Sequence, residues 1–235
     1  MLQGKHISLD PRLSLIAEMA GKCSCLADIG CDHGRLSAFM LQRGWAQRAY
    51  LSDVSAVSLN KAGQLLALCG LSDRAVLEKT DGLDGLPESA DCIVISGMGG
   101  KTVSGILLRG RERLNGARLI LQPNVAIPET RDALQVIGYA ITDERIVLDG
   151  RRMYVTIRAE QGSMMLDEKE RTVGPVLLRD RPAALGEYAA FRVRVLRDAL
   201  KGADRSSGAG IAKDGIEREL RIWEEVGRLR PALVL

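Results

Sequence analysis

Aromatic residues are scarce: two Phe, two Trp and four Tyr make up 3% of 235 positions. That scarcity excludes a broad base-stacking platform of the kind single-strand binders carry. Long apolar runs are also missing. No stretch of about 18 uncharged apolar residues occurs, so no membrane partner is expected. The opening MLQGKHISLDPRL holds no apolar secretion core, so no signal peptide is expected. The five cysteines are odd in number, and three crowd together at Cys23, Cys25 and Cys31. They lack the paired spacing and the histidine that a zinc site needs, so no metal is expected. Without export, they are expected to be reduced thiols in a cytoplasmic chain. Charge of one sign is lacking too: a net +3 neither demands nor excludes nucleic acid.

What is present is apolar mass. At 46% hydrophobic, 235 residues suffice for one full α/β domain and a smaller appendage. Strand-like runs at 25–30, 49–53, 75–79, 91–96 and 118–122 alternate with helical patterns at 36–44, 55–69, 101–114 and 128–137. An earlier helix starts at Asp10-Pro11, with Asp10 as cap and Pro11 in the first turn. The alternation predicts a parallel sheet covered by helices on both faces. Runs at 145–148 and 153–159 alternate apolar and polar residues around Asp149-Gly150, which predicts an antiparallel hairpin. Beyond Gln161-Gly162-Ser163 no strand is evident. Leu185, Tyr188, Phe191 and Val195 share one helical face, and Ile216, Leu220, Trp223 and Val226 another. With the glycine-rich turn Gly202–Gly210 between them, residues 163–235 read as an antiparallel, coiled-coil-like helical hairpin. Residues 1–162 read as the catalytic domain.

The densest chemistry lies in CSCLADIGCDHGRL, Cys23 to Leu36. A buried strand ends in a turn carrying Gly30 and Gly34, flanked by Asp28 and Asp32. Bare N–H groups in such a turn would cradle phosphate, but two carboxylates suit a cationic, hydroxyl-rich ligand. S-adenosylmethionine, with its ammonium and sulfonium, fits that description. A dinucleotide does not, since Asp32 stands where glycine should admit the pyrophosphate. Asp53, followed by Val54, closes the second strand at the spacing of a ribose-binding acid. Asp81-Gly82 follows the third strand, where the acid can accept from an exocyclic amine. ISGMGGK ends the fourth strand, and Gly97 and Met98 are expected to line the donor pocket. No Asn-Pro-Pro-Tyr/Phe element follows, which argues against exocyclic-amine methylation. The hairpin then selects the methyltransferase version of a doubly wound seven-stranded sheet, its last strand antiparallel.

LILQPN places Gln122 and Asn124 where paired donors and acceptors can read a base edge. His33, inside the turn, is expected to contact cofactor or substrate. Arg35, Lys101, Arg109, Arg111 and Arg113 are candidate phosphate contacts. His33, Gly97, Met98 and Asn124 are the candidates lining the acceptor pocket, and no general base is assigned.

ADIGCDHGRL, the Asp53 strand end, TDGL, ISGMGGK and LILQPN, in this order, resemble the bacterial tRNA (adenine-22-N1)-methyltransferases. The resemblance implies a class I fold, S-adenosylmethionine as donor and N1 of adenine 22 in tRNA as acceptor. It places Asp28, Gly30, Asp32, His33, Asp53, Asp81, Gly82 and Gly97 around the cofactor and a helical domain at the C-terminus. The chain departs from that pattern at Cys31, commonly Thr, and at Arg35-Leu36-Ser37, commonly Tyr-Leu-Pro. The alternatives from the residues alone are another RNA, a small molecule or a protein as acceptor, or a cofactor-sensing RNA-binding module. A monomer is the expected state.

Overall fold

The structure, a computed structural model, describes residues 6–203, 210–229 and 231–232. Two compact units divide the chain, Met1–Met165 and Leu166–Leu235.

In the first unit, helix α1 (Pro11–Ala20) opens as the sequence dictates. The Asp10 carboxylate accepts from the Leu13 N–H at 2.8 Å, and Pro11 sits in the first turn. Seven strands follow: β1 (Cys23–Ile29), β2 (Ala46–Asp53), β3 (Ala75–Lys79), β4 (Cys92–Met98), β5 (Arg118–Pro123), β6 (Tyr139–Asp149) and β7 (Arg152–Gln161). Helices α2 (Arg35–Gln42), α3 (Ala56–Leu68), α4 (Gly100–Gly110) and α5 (Ile127–Val136) connect the parallel strands. The sheet order is β3-β2-β1-β4-β5-β7-β6. Strands β1 to β5 are mutually parallel, and β7 enters antiparallel between β5 and β6. The order reverses between β1 and β4, so their C-terminal ends flank the crevice where such sheets bind ligands.

Burial explains why β1 and β4 read as apolar runs rather than alternating ones. Leu26, Ala27, Ile93, Val94 and Ile95 are sealed on both faces of the sheet. The hairpin turns at Asp149-Gly150 as expected, with Asp149 paired to Arg152 and Gly150 at φ +61°. It is longer than expected, because β6 begins at Tyr139. A register shift between Ile141 and Asp143 breaks its alternation, and Glu144 points inward. That buried carboxylate meets the buried Arg131 of α5 at 2.8 Å.

The second unit contains α6 (Glu168–Val173), α7 (Pro175–Asp180), α8 (Ala184–Ala203) and α9 (Gly210–Val226). The two short helices are additions to the expected pair. The signal for α6 was present as a capping box, Asp167 accepting from the Glu170 N–H and Glu170 from the Asp167 N–H. Helices α8 and α9 pack on each other through Leu185, Tyr188, Ala189, Trp223 and Val226, with Tyr188 edge-on to Trp223 at 5.4 Å. Val195, expected on that face, is 41% exposed, and its neighbour Leu196 is buried instead. The Gly202–Gly210 turn falls largely on residues 204–209, outside the described residues.

Candidate active site

Beyond β1 the chain turns sharply, with Gly30 at φ +71°, Asp32 at +48° and Gly34 at +66°. The backbone donors of this turn are committed to β2. Gly30 and Cys31 both donate to the Ser52 carbonyl, at 2.8 and 3.0 Å. Asp32 N–H donates to Asp53 Oδ2 at 3.1 Å, and Gly34 N–H to the Cys31 carbonyl at 2.8 Å. The turn therefore makes a poor anion nest: its Gly30, Cys31, Asp32 and Gly34 N–H groups are already spent. What it offers a ligand instead is acid.

Asp28 is 4% exposed, and the buried Ser37 hydroxyl donates to its Oδ2 at 2.7 Å. Burial pushes the Asp28 carboxyl up to about 6, with the neighbouring charges of Asp53 and Asp32 adding to the rise. The Ser37 hydrogen bond opposes it. Asp53 Oδ1 accepts from the Ser55 N–H at 2.8 Å, and Oδ2 accepts from Asp32 as above. Each oxygen keeps a lone pair for a ligand hydroxyl. His33 Nδ1 lies 2.9 Å from Asp32 Oδ2, at the exposed rim. Burial and the acidic neighbours push the Cys31 thiol well above its usual range.

These groups face one cavity of about 570 Å³. Asp28, Gly30, Asp32, His33, Arg35, Asp53, Val54, Asp81, Gly82, Gly97 and Met98 line it together. Val54 and Ile106 give it apolar surface suited to a flat base, and Gly82 (φ +64°) lies against Ile106. Met98 reaches across to Gly30, where an added Cβ would lie 2.1 Å from its Cε. Acidic groups outnumber Arg12 and Arg35 along the lining. That donor set fits a ligand with an ammonium, vicinal hydroxyls and a flat base. It does not fit a diphosphate.

Several expected residues lie elsewhere. Gly34 is buried behind the turn: a Cβ there would lie 2.9 Å from Ala62 Cβ, so it serves helix packing rather than ligand contact. Gln122 is fully buried and cannot read a base. Its Oε1 accepts from Arg12 at 2.8 Å, and its Nε2 donates to Asn124 Oδ1 at 3.1 Å. Asn124 is exposed beside Gly97, donating to the Gly97 carbonyl at 2.7 Å. Lys101, Arg109, Arg111 and Arg113 are exposed on or just beyond α4, outside the cavity lining. Arg109 lies 3.5 Å from Asp81, Arg111 3.1 Å from Glu112 and Arg113 4.0 Å from Asp84.

Sequence reasoning missed the contribution of α1. Asp10, Arg12 and Leu13 close one side of the cavity, and Arg12 also lies over the Tyr154 ring at 5.7 Å. The only local signal was that an arginine follows the Asp-Pro helix start. Among the described residues, no group of three or more His, Cys, Asp or Glu is placed to hold a metal. No helix there is long and apolar enough to cross a membrane.

Comparison with known proteins finds similar chains. A family model described as a methyltransferase domain matches residues 9–157. The tRNA (adenine(22)-N(1))-methyltransferase of Bacillus subtilis is 32% identical over 159 residues, 67% of each chain. The solved structure of the B. subtilis m1A22 tRNA methyltransferase TrmK superposes with a TM-score of 0.85 at 25% identity, covering 94% of this chain and all of that one. A Streptococcus pneumoniae protein solved with S-adenosyl-L-methionine gives 0.83 at 26% identity, covering 92% and 98%.

Proposed function

The chain belongs to the methyltransferase-domain family and, within it, to the bacterial tRNA (adenine-22-N1)-methyltransferases, and from that membership we propose that it methylates N1 of adenine 22 in tRNA. S-adenosylmethionine, when bound, supplies an electrophilic methyl group on a sulfonium. The observation that carries the reading is the turn after β1, whose Gly30, Cys31 and Asp32 N–H groups are spent on Ser52 and Asp53 of β2 while its carboxylates face the cavity.

Asp53 would hold the ribose hydroxyls through the free lone pairs of its anchored carboxylate. Asp28 would face the ammonium, and Asp81 the exocyclic amine of the donor's adenine. Val54 and Ile106 would enclose that base. Adenine N1 carries an in-plane lone pair, so the chain need not remove a proton before attack. The task left to Gly97, Met98 and the surrounding wall is alignment and exclusion of water. The methylated base is cationic, and Asp28 and Asp32 favour that charge. N1 lies on the pairing edge, so the base must leave its tRNA contacts to reach the cavity. The helical unit and the arginines around α4 would grip the tRNA through shape and phosphates. A tRNA substrate makes the cytoplasm the working compartment.

The test uses the full chain, tritiated S-adenosylmethionine and two tRNA transcripts that differ only in A or G at position 22. Label on the A22 transcript alone is expected. Equal label on both, or on neither, overturns the reading.

A further inference from the structure

Arg12, Gln122 and Asn124 form a line of hydrogen bonds that methyl transfer, as set out above, does not use. Arg12 Nη1 donates to Gln122 Oε1 at 2.8 Å, Gln122 Nε2 to Asn124 Oδ1 at 3.1 Å, and Asn124 Nδ2 to the Gly97 carbonyl at 2.7 Å. The two ends of the line have fixed polarity. A guanidinium only donates and a backbone carbonyl only accepts. Both amides between them are therefore locked, because turning either one over would set donor against donor or acceptor against acceptor. Gln122 is sealed from solvent. Asn124 is exposed beside Gly97, a residue that lines the cavity, with one lone pair on Oδ1 and one hydrogen on Nδ2 still unspent.

We propose that Asn124 recognises the target adenine through its 6-amino group and N7, and that Gln122 and Arg12 are positioning residues that hold the Asn124 amide in the orientation this requires. The proposal rests on the methyl-transfer reading above. An asparagine amide pairs with adenine by accepting from the 6-amino group and donating to N7. That pairing leaves N1 untouched, as methylation of N1 demands. A contact through N1 would consume the lone pair that must attack. Guanine presents an acceptor at the 6-position, which would face Asn124 Oδ1 and be rejected. An amide free to turn over would lose this distinction, and the line from Arg12 to Gly97 prevents the turn.

The experiment compares methyl transfer to tRNA carrying adenosine or 7-deazaadenosine at position 22, a change that replaces the N7 acceptor with C–H, keeps the 6-amino group and leaves N1 at least as basic. The parent chain should lose about tenfold in kcat/KM on the deaza substrate, the worth of one good hydrogen bond. Asn124→Ala should lose about tenfold to a hundredfold on adenosine and treat the two substrates alike. Gln122→Glu replaces the donor facing Asn124 with an acceptor, and it should erase the same preference while S-adenosylhomocysteine binds as before. Asn124 is exposed, so its variant tests the idea even where Gln122→Glu fails to fold. Equal rates on both substrates with the parent chain, or an unchanged preference in Asn124→Ala, would overturn the proposal. No transfer to adenosine-22 by the parent chain would instead overturn the methyl-transfer reading on which it rests.

Discussion

On the β1–β2 wall of the cavity, three carboxylates crowd a turn in which four backbone donors are already used. Asp28 is buried against Ser37, and Asp53 is held by two backbone N–H groups. Across the crevice, strands β4 and β5 bring no carboxylate to their C-terminal ends. They finish in small residues and a line of neutral amides fixed by one guanidinium. The acidic wall suits a ligand that is cationic and rich in hydroxyls. The amide wall suits a neutral heteroaromatic edge that must be read without being charged. A methyl donor and a base acceptor differ in this way, and the proposed function assigns one wall to each.

The walls also differ in how rigidly they are built. At Gly100 an added Cβ would lie 1.9 Å from the Ala126 carbonyl oxygen, which is backbone and cannot rotate aside. Gly100→Ala is therefore expected to cost more than about 3 kcal/mol, among the larger single-site effects, and to lower Tm accordingly. At Gly30 the obstacle is the far end of the flexible Met98 side chain, so the cost is mainly that of the φ +71° backbone. Gly30→Ala should cost about 1–2 kcal/mol, clearly less than Gly100→Ala in paired melts. If Gly30→Ala is the worse of the two, the account of the walls is reversed.

The buried acid gives a pH test of the same wall. The folded Asp28 carboxyl, at about 6, lies above its ordinary value of 3.8. The folded state therefore binds the proton more tightly than the unfolded chain, and stability falls as pH rises from near 4 to near 6. Above that window the full penalty is in place, roughly 3 kcal/mol at 1.36 kcal/mol for each pH unit. Asp28→Asn should be more stable than the parent by that order at pH 8, with the gain shrinking towards pH 4. Denaturant melts at both pH values check it, and a gain independent of pH would contradict the burial argument. Binding of a cationic ligand should weaken in the parent below pH 6, where Asp28 takes up its proton.

The smallest expected effect is at the rim. Arg109 and Asp81 form an exposed pair at 3.5 Å, so Arg109→Ala should change stability by less than about 1 kcal/mol. If Arg109 meets phosphate in the complex, the same change should weaken tRNA binding and reduce the slope of log K against log salt by about 1. An unchanged slope removes Arg109 from the RNA surface.

The acidic wall was legible in the sequence because it is local. Strand, glycine turn and carboxylates lie within Cys23–Leu36, and Asp53 follows at a spacing the fold fixes. The amide wall was legible only in part. Gln122 and Asn124 look equivalent as letters, yet one is sealed, hydrogen-bonded to Arg12 of α1, and the other exposed. Arg12 could not be assigned at all, since its contact to Gln122 spans 110 positions of chain. The first half of β6 was hidden for a related reason. The expected strand begins at Arg145, because Asp143 and Glu144 before it are charged, yet Glu144 is buried against Arg131 of α5, which neutralises it.

The division of labour between the walls is tested most directly by titrating S-adenosylhomocysteine calorimetrically into Asp53→Ala and Asn124→Ala side by side with the parent. Loss of two hydrogen bonds to a charged group should weaken binding about a hundredfold in Asp53→Ala, while Asn124→Ala binds as the parent does. Equal weakening in the two variants, or none in Asp53→Ala, would contradict the assignment of donor and acceptor to opposite walls.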